Sequence, residues 1–350
     1  MPNLPVPHRF LVALLSLLLL VAIAACSDDA EEAEDSGDDE ATEDAGSDDV
    51  EAVEVEDAIG LVGVSVADQR SLFYVAEVDG MRVAAEESGV ELLITSANND
   101  SVAQINQVQD LLTQNIEVLL FTSQDDTAAT SGVQAANEAG VPVIAVDQRP
   151  ESEDADLATF IATDSVAAAR ELCTWMFDEM GGSGQLAIIQ GVLGSTAQIQ
   201  RSQGCDEALE EYPDIEVVAV DAANWDETEA FNATQNILTA NPDLDAVFGQ
   251  SDAMALGAAK AAEQAGRHDD MWFVGIDGFP TMFEGLEDGL VHATMAQQPF
   301  LMGQLAIADA ITLMEGGEIP ELQYQDAVLV TQENVDEYDA EFFYGPMALN

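Results

Sequence analysis

The sequence predicts an α/β protein built as two doubly wound parallel-sheet lobes, and three observations carry that expectation. From residue 58 onward, short apolar runs alternate with segments of helical period. Strands that are apolar on both faces belong to parallel sheets covered by helices on both sides. The alternation comes in two successive series. One stretch of each series also looks like a copy of the other. "LLFTSQDDTAATSGVQAANEAGVPVIAVD" (119–147) can be laid beside "AVFGQSDAMALGAAKAAEQAGRHDDMWFVGID" (246–277). Both read strand, polar turn, Ala-rich helix closing on a glycine, strand, Asp. Gly140 and Gly266 fall where helix C-caps want glycine. Chance likeness of two Ala-rich helices is the other reading.

In chain order, the first 26 residues read as a targeting signal. His8 and Arg9 make a weakly basic start, and "FLVALLSLLLLVAI" (10–23) is an apolar run short for a membrane span. "IAAC" (23–26) resembles the lipobox of bacterial lipoproteins, which would leave Cys26 lipidated after removal of residues 1–25; ordinary cleavage in the same alanine cluster is the alternative. Residues 28–57 hold 17 Asp or Glu and no cation. Such a stretch cannot bury enough apolar surface to order itself, so 26–57 is expected to be a disordered acidic tether; an acidic metal-binding tail is the weaker reading.

The first series of strands is then "IGLVGVSV" (59–66), "ELLITSA" (91–97), "EVLLFTS" (117–123) and "VPVIAVD" (141–147), with helices near 72–88, 101–114 and 127–138. The second is "QLAIIQG" (185–191), "EVVAVDAA" (216–223), "DAVFGQS" (245–251) and "WFVGIDG" (272–278), with helices between. Cys173 and Cys205 both sit in helix-like stretches. In an exported protein such a pair points to a disulfide, with two buried thiols as the alternative.

Charge excludes several functions. Eight Lys and Arg face 68 Asp and Glu, and Lys260 is the only lysine. A formal charge of −60 repels nucleic acid. It also destabilises a fold in dilute salt, so the composition points to adaptation to high salt; an ordinary acidic surface is the plainer reading. No phosphate loop ending in Lys and no G-x-S-x-G elbow occurs. His8, His268 and His292 are scattered and form no metal or acid–base constellation. Paired acids could hydrolyse a glycoside, but nothing in the sequence sets their separation. The expectation is therefore no catalytic residue, no metal and no cofactor.

What remains is a row of polar groups at strand ends. Asp147, Ser251 with Asp252, and Asp277 each follow a strand, where open parallel sheets bind ligands. Any one could simply cap a helix. Asp147 and Asp277, the matching acids of the two repeats, are expected to touch ligand.

Over about residues 58–330 the chain resembles the type I periplasmic sugar-binding proteins, the ribose binders in particular. The resemblance rests on "LFYVAEVDGMRVAAEESG", "PVIAVDQ", "AVFGQSDAMALGA", "FVGIDGFP" and "HATMAQQP". It implies two lobes joined by a three-strand hinge and closing on a sugar: 58–162 plus 298–326 as the N-terminal lobe, 163–297 plus 327–350 as the C-terminal lobe. It places Phe73, Tyr74 and Trp225 against the sugar ring, Asp147 and Asp277 on its hydroxyls, and Gln297 beside the hinge. Ring faces of sugars pack on aromatics, and hydroxyls bond strongly to charged partners.

The departures bear on the ligand. Gln148 stands where the family has an Arg, with Arg149 one residue later and expected to point away. The family's second-lobe Arg aligns with Ile199, while Arg201 matches a different Arg, read as structural. Ser71 and Ser251 replace asparagines. The resemblance therefore implies a pocket lacking two guanidiniums, which makes ribose doubtful and leaves a cyclitol, a modified sugar, a sugar alcohol or a furanose open. It implies an exported, monomeric binding protein anchored through Cys26 at the outer face of the membrane, serving an ABC permease, or a receptor of the same fold serving a sensor kinase. The tail "EFFYGPMALN" (341–350) lies beyond the resemblance and is expected to pack against a lobe.

Overall fold

The computed structural model describes residues 50–55, 58–150, 152 and 154–346; Cys26, the expected signal and most of the expected tether lie outside them. The first sheet is built from β1 (Glu51–Val53), β2 (Gly60–Val66), β3 (Val90–Ser96), β4 (Val118–Phe121), β5 (Val143–Val146), β6 (Thr159–Thr163) and β12 (Leu322–Gln325), in the order β1-β3-β2-β4-β5-β6-β12. The second holds β7 (Ser183–Gln190), β8 (Asp214–Ala222), β9 (Ala246–Gly249), β10 (Trp272–Asp277), β11 (Ala293–Ala296) and β13 (Val328–Thr331), ordered β13-β11-β10-β9-β7-β8. All pairings are parallel except β1 with β3 and β11 with β13. The helices are α1 (Leu72–Ser88), α2 (Ser101–Thr113), α3 (Asp126–Ala139), α4 (Ser165–Glu179), α5 (Thr196–Leu209), α6 (Glu227–Ala240), α7 (Asp252–Ala265), α8 (Pro280–Glu287), α9 (Pro299–Met314) and α10 (Ala340–Tyr344).

Every strand and helix read from the two series is present, with its ends moved by a few residues. β4, β5 and β9 are buried along their whole length, as sandwiched parallel strands must be. The acidic composition is used locally: Asp100, Asp125, Asp164 and Asp226 accept backbone N–H groups at the starts of α2, α3, α4 and α6. Each carboxylate there satisfies an orphan donor and meets the positive end of the helix.

The internal repeat is matched in detail. β4-α3-β5 and β9-α7-β10 occupy corresponding places in their sheets. Gly140 and Gly266 both close their helices in the left-handed region, at φ 77° and 67°. The next residue in each case, Val141 or Arg267, donates back to Ala136 or Ala262 at 2.9 Å.

The chain passes between the sheets three times: after β6, between β11 and α9, and in the turn from β12 to β13. Two features differ from the expectation. Residues 51–53, assigned to the disordered tether, form β1 along the edge of β3. The edge offers unpaired backbone groups, Val53 packs on the core, and Arg82 holds Glu51 at 2.6 Å. The tail does not lie on one lobe: α10 packs against α1 and α9 of the first and reaches Phe283 of α8 in the second.

Cys173 of α4 and Cys205 of α5 are bonded, with Cα atoms 5.5 Å apart and a sequence separation of 32. Closing a loop of that length limits the unfolded chain by about 3–4 kcal/mol. Replacing both with Ser is expected to lower the melting temperature by roughly 6–12 °C without changing ligand affinity, read by calorimetry on oxidised protein.

Candidate ligand-binding cleft

A cleft of about 730 Å³ lies between the lobes, at the carboxyl ends of the central strands. It sits where strand order reverses in each sheet, at β2/β4 and β7/β9, the position at which such sheets open a crevice. All nine residues expected there line it: Ser71, Phe73, Tyr74, Asp147, Gln148, Trp225, Ser251, Asp277 and Gln297.

The first lobe supplies an aromatic wall. Phe73 and Tyr74 open α1 and meet edge to face at 5.5 Å. Phe73 is also part of the core, so packing and cleft roles coincide in one ring. The Tyr74 hydroxyl accepts a hydrogen bond from Gln148 Nε2 at 2.5 Å, and burial raises its pKa well above the ordinary tyrosine value. Arg149 turns away, its guanidinium 5.0 Å over the Phe160 ring. At the rim, Arg70 donates to both oxygens of Asp68, which also accepts from Asn99 at 2.7 Å.

Asp147 ends β5 at φ 58°, a left-handed conformation that Asp tolerates better than most residues. Its N–H bonds to the Ile161 carbonyl at 2.8 Å, which fixes the backbone. Among the described residues no group donates a hydrogen bond to its side chain. Burial pushes its pKa up to about 7; the Arg201 guanidinium opposes this and Asp277 adds to it.

Asp277 is held on every side. Gln297 Nε2 donates to Oδ1 at 2.9 Å, Arg201 approaches the same oxygen at 3.5 Å, and the Asp252 N–H reaches Oδ2 at 3.4 Å. Burial raises its pKa, against the pull of Arg201. Asp252, which also follows a strand, has a different task. Fully buried, it accepts from Gly278 N, Phe279 N and Thr294 Oγ1, at 2.6, 2.9 and 2.7 Å, and so shapes the turn that carries Asp277. Ser251 both faces the cleft and caps α7 through Met254 N.

Arg201 corrects the sequence reading. It is 4% exposed, lines the cleft, and stacks over the Trp225 ring at 5.4 Å. Ile199 is 53% exposed and is not part of the lining. The pocket therefore keeps one buried guanidinium and lacks only the one replaced by Gln148. Residues two apart on a helix point about 200° apart, so both cannot face the cleft. The buried stripe Ala197, Arg201, Gly204, Cys205, Ala208 has helical spacing, and that signal was in the sequence.

Trp225 follows Asn224 in a pair of left-handed residues, at φ 66° and 49°. Its ring lies against Gly191, where an added Cβ would fall 2.0 Å from the indole. Gly191→Ala is expected to displace the indole, shift tryptophan emission and weaken binding by about tenfold, the loss of roughly one aromatic contact.

Across the cleft, Asp126 at the start of α3 accepts the Thr196 N–H at 2.8 Å and its hydroxyl at 2.5 Å. These bonds join the two lobes directly. Among the described residues, no three His, Cys, Asp or Glu gather to hold a metal, and no helix is long and apolar enough to cross a membrane.

Two sheets closing on a cleft lined by aromatics and strand-end acids define a two-lobed solute-binding protein. The chain belongs to the periplasmic binding protein domain family, which it matches over residues 62–318. It is 35% identical over 278 residues to the xylitol-binding protein of Mycolicibacterium smegmatis, covering 79% of this chain and 78% of that one. It is 31% identical to the ribose import binding protein of Bacillus subtilis, over 74% of this chain and 83% of that protein. Its fold matches an ABC transporter solute binding protein of Bacillus halodurans C-125, crystallised with bound myo-inositol, at a TM-score of 0.77 and 29% identity, covering 82% of this chain and 99% of the other. Proteins of this family bind solutes and are not enzymes.

Proposed function

We propose that this protein captures a small neutral polyol or sugar between its lobes and delivers it to an ABC importer. The observation that carries the reading is Asp147: a carboxylate turned to the cleft, facing an aromatic wall, with no hydrogen-bond donor among the described residues. A solute hydroxyl supplies that donor. Among the described residues Gln297 Oε1 and Arg201 Nε are buried without hydrogen-bond partners, so acceptor and donor capacity stand side by side, as hydroxyls require. The acids of the cleft disfavour anionic sugars. Replacing a family guanidinium, which only donates, by Gln148, which also accepts, favours a ligand richer in hydroxyl donors than ribose, and the xylitol and myo-inositol binders among its relatives fit that direction.

We infer further that the protein is exported, that Cys26 carries the lipid that holds it at the outer face of the cell membrane, that it acts as a monomer with a permease as its partner, and that its acidity reflects a salt-rich habitat. Calorimetric titration of residues 50–350 in about 2 M NaCl, chosen to screen charge, against pentoses, hexoses, sugar alcohols and inositols tests the central reading. A micromolar or tighter ligand supports it. Saturable binding of none of them by folded protein rejects it.

A further inference from the structure

The segment after β13 belongs to neither sheet, lies beyond the family match at residue 318, and carries two of the largest fully buried side chains, Phe343 and Tyr344. Asp339 starts α10 by accepting the Glu341 N–H at 3.0 Å. From there Phe343 packs on Phe283 at 6.0 Å and Tyr344 on Phe279 at 5.5 Å, both residues of the second lobe. On the other side α10 packs on α9 and α1, and Gly345 lies against the Phe300 ring of α9. The segment is thus wedged where the chain crosses from β11 to α9.

Its tip reaches the ligand site from behind. The Tyr344 hydroxyl donates to the Asp277 carbonyl at 2.9 Å, an oxygen that also accepts the Gln297 N–H at 2.8 Å. Asp277 sits at φ 152°, a backbone conformation that L residues avoid and that persists only when its surroundings hold it. The side chain of this residue faces the cleft. A carbonyl pinned by two donors leaves the peptide no freedom to relax, and so aims the carboxylate.

We propose that Tyr344 is a positioning residue of the ligand site: its phenol, carried by the α10 wedge, fixes the Asp277 backbone and with it the direction of the carboxylate offered to ligand. The value of this aim for affinity rests on the binding function proposed above; the restraint on the Asp277 peptide does not. An unaimed acceptor weakens binding through the ordering it then needs.

Tyr344→Phe keeps the ring packing and removes only the hydroxyl. Two readouts test it in the full chain. Amide hydrogen exchange of ligand-free protein is expected to speed up by about tenfold in the peptide spanning residues 275–280 and at Gln297, the loss of roughly one hydrogen bond, with the strands of both sheets unchanged. Affinity for xylitol, myo-inositol or D-ribose, whichever the parent protein binds, is expected to fall by about five- to tenfold. If none of the three binds the parent, the exchange arm still decides the restraint, and the binding function is judged separately by the wider panel of sugars, sugar alcohols and inositols. Unchanged exchange at 275–280, or a uniform rise across all strands with affinity unaltered, overturns the proposal; the second pattern would make Tyr344 a packing residue only.

Discussion

Asp147→Asn is expected to weaken ligand binding by at least about a hundredfold. The carboxylate lines the cleft and, among the described residues, accepts no hydrogen bond, so solute hydroxyls meet the charge of its ionised form directly. Two charge-assisted bonds at roughly 1.5–3 kcal/mol each exceed the ~2.8 kcal/mol that corresponds to a hundredfold. Asn keeps the shape and turns one acceptor into a donor. The same residue sets a pH dependence whose sign comes from its raised pKa. Ligand hydroxyls bind the ionised form, so binding pulls the pKa down from about 7. Affinity is level above pH 7 and falls by up to tenfold per pH unit below it. Stability of the free protein runs the other way. A carboxyl raised in the folded state contributes fully below the ordinary carboxylate range and loses that contribution as pH rises to about 7. Titrations from pH 5.5 to 8.5 read the slope, and the Asn variant should flatten it. Affinity that rises on acidification would show Asp147 acting as a protonated donor instead.

The acids at the strand ends were legible because a parallel sheet leaves few choices: a buried run such as "VIAV" must stop, and the residue after it faces the crevice. Asp147 and Asp277 are readable for that reason, and more so as equivalents in two repeats. Asp252 shows the limit. It also comes after a strand, yet its oxygens are taken by Gly278, Phe279 and Thr294, and only coordinates tell an occupied acid from an open one. Arg201 was misplaced for a different reason. Alignment at low identity fixes a helix's span better than its phase, and a shift of two residues moves a side chain to the opposite face. The stripe through Ala197, Arg201 and Cys205 holds the phase and outranks the alignment. Tyr344 had no readable signal. Its partner is a carbonyl 67 residues away, and an aromatic tail reads the same whether it covers a lobe or wedges two. β1 was missed because its sequence is acidic; the free edge of β3 and one arginine, Arg82, order it.

The melting temperature is expected to rise by about 10 °C or more between 0.1 and 2 M NaCl. Seventeen of the 68 acids lie in residues 28–57 and none before them, which leaves 51 acids against seven cations in residues 58–350. The cations are largely committed. Among the described residues Arg70 holds Asp68, Arg82 holds Asp79 and Glu51, Lys260 holds Glu227, and Arg201 is spent inside the cleft. Most surface carboxylates therefore see only other carboxylates. Folding crowds them together, and at 0.1 M salt a screening length of about 10 Å lets neighbours and next neighbours repel. At 1 M that length is about 3 Å, shorter than most spacings on a surface. Relief of roughly 3–5 kcal/mol corresponds to a shift of this size for a chain of this length. The shape of the curve separates causes. Screening delivers most of the rise below about 1 M and then levels off, whereas exclusion of salt from the surface, which strengthens apolar burial, continues to climb. A melting temperature that stays flat or falls with NaCl would mean the acidic surface is already relieved at low salt, and would remove the case for a salt-rich habitat.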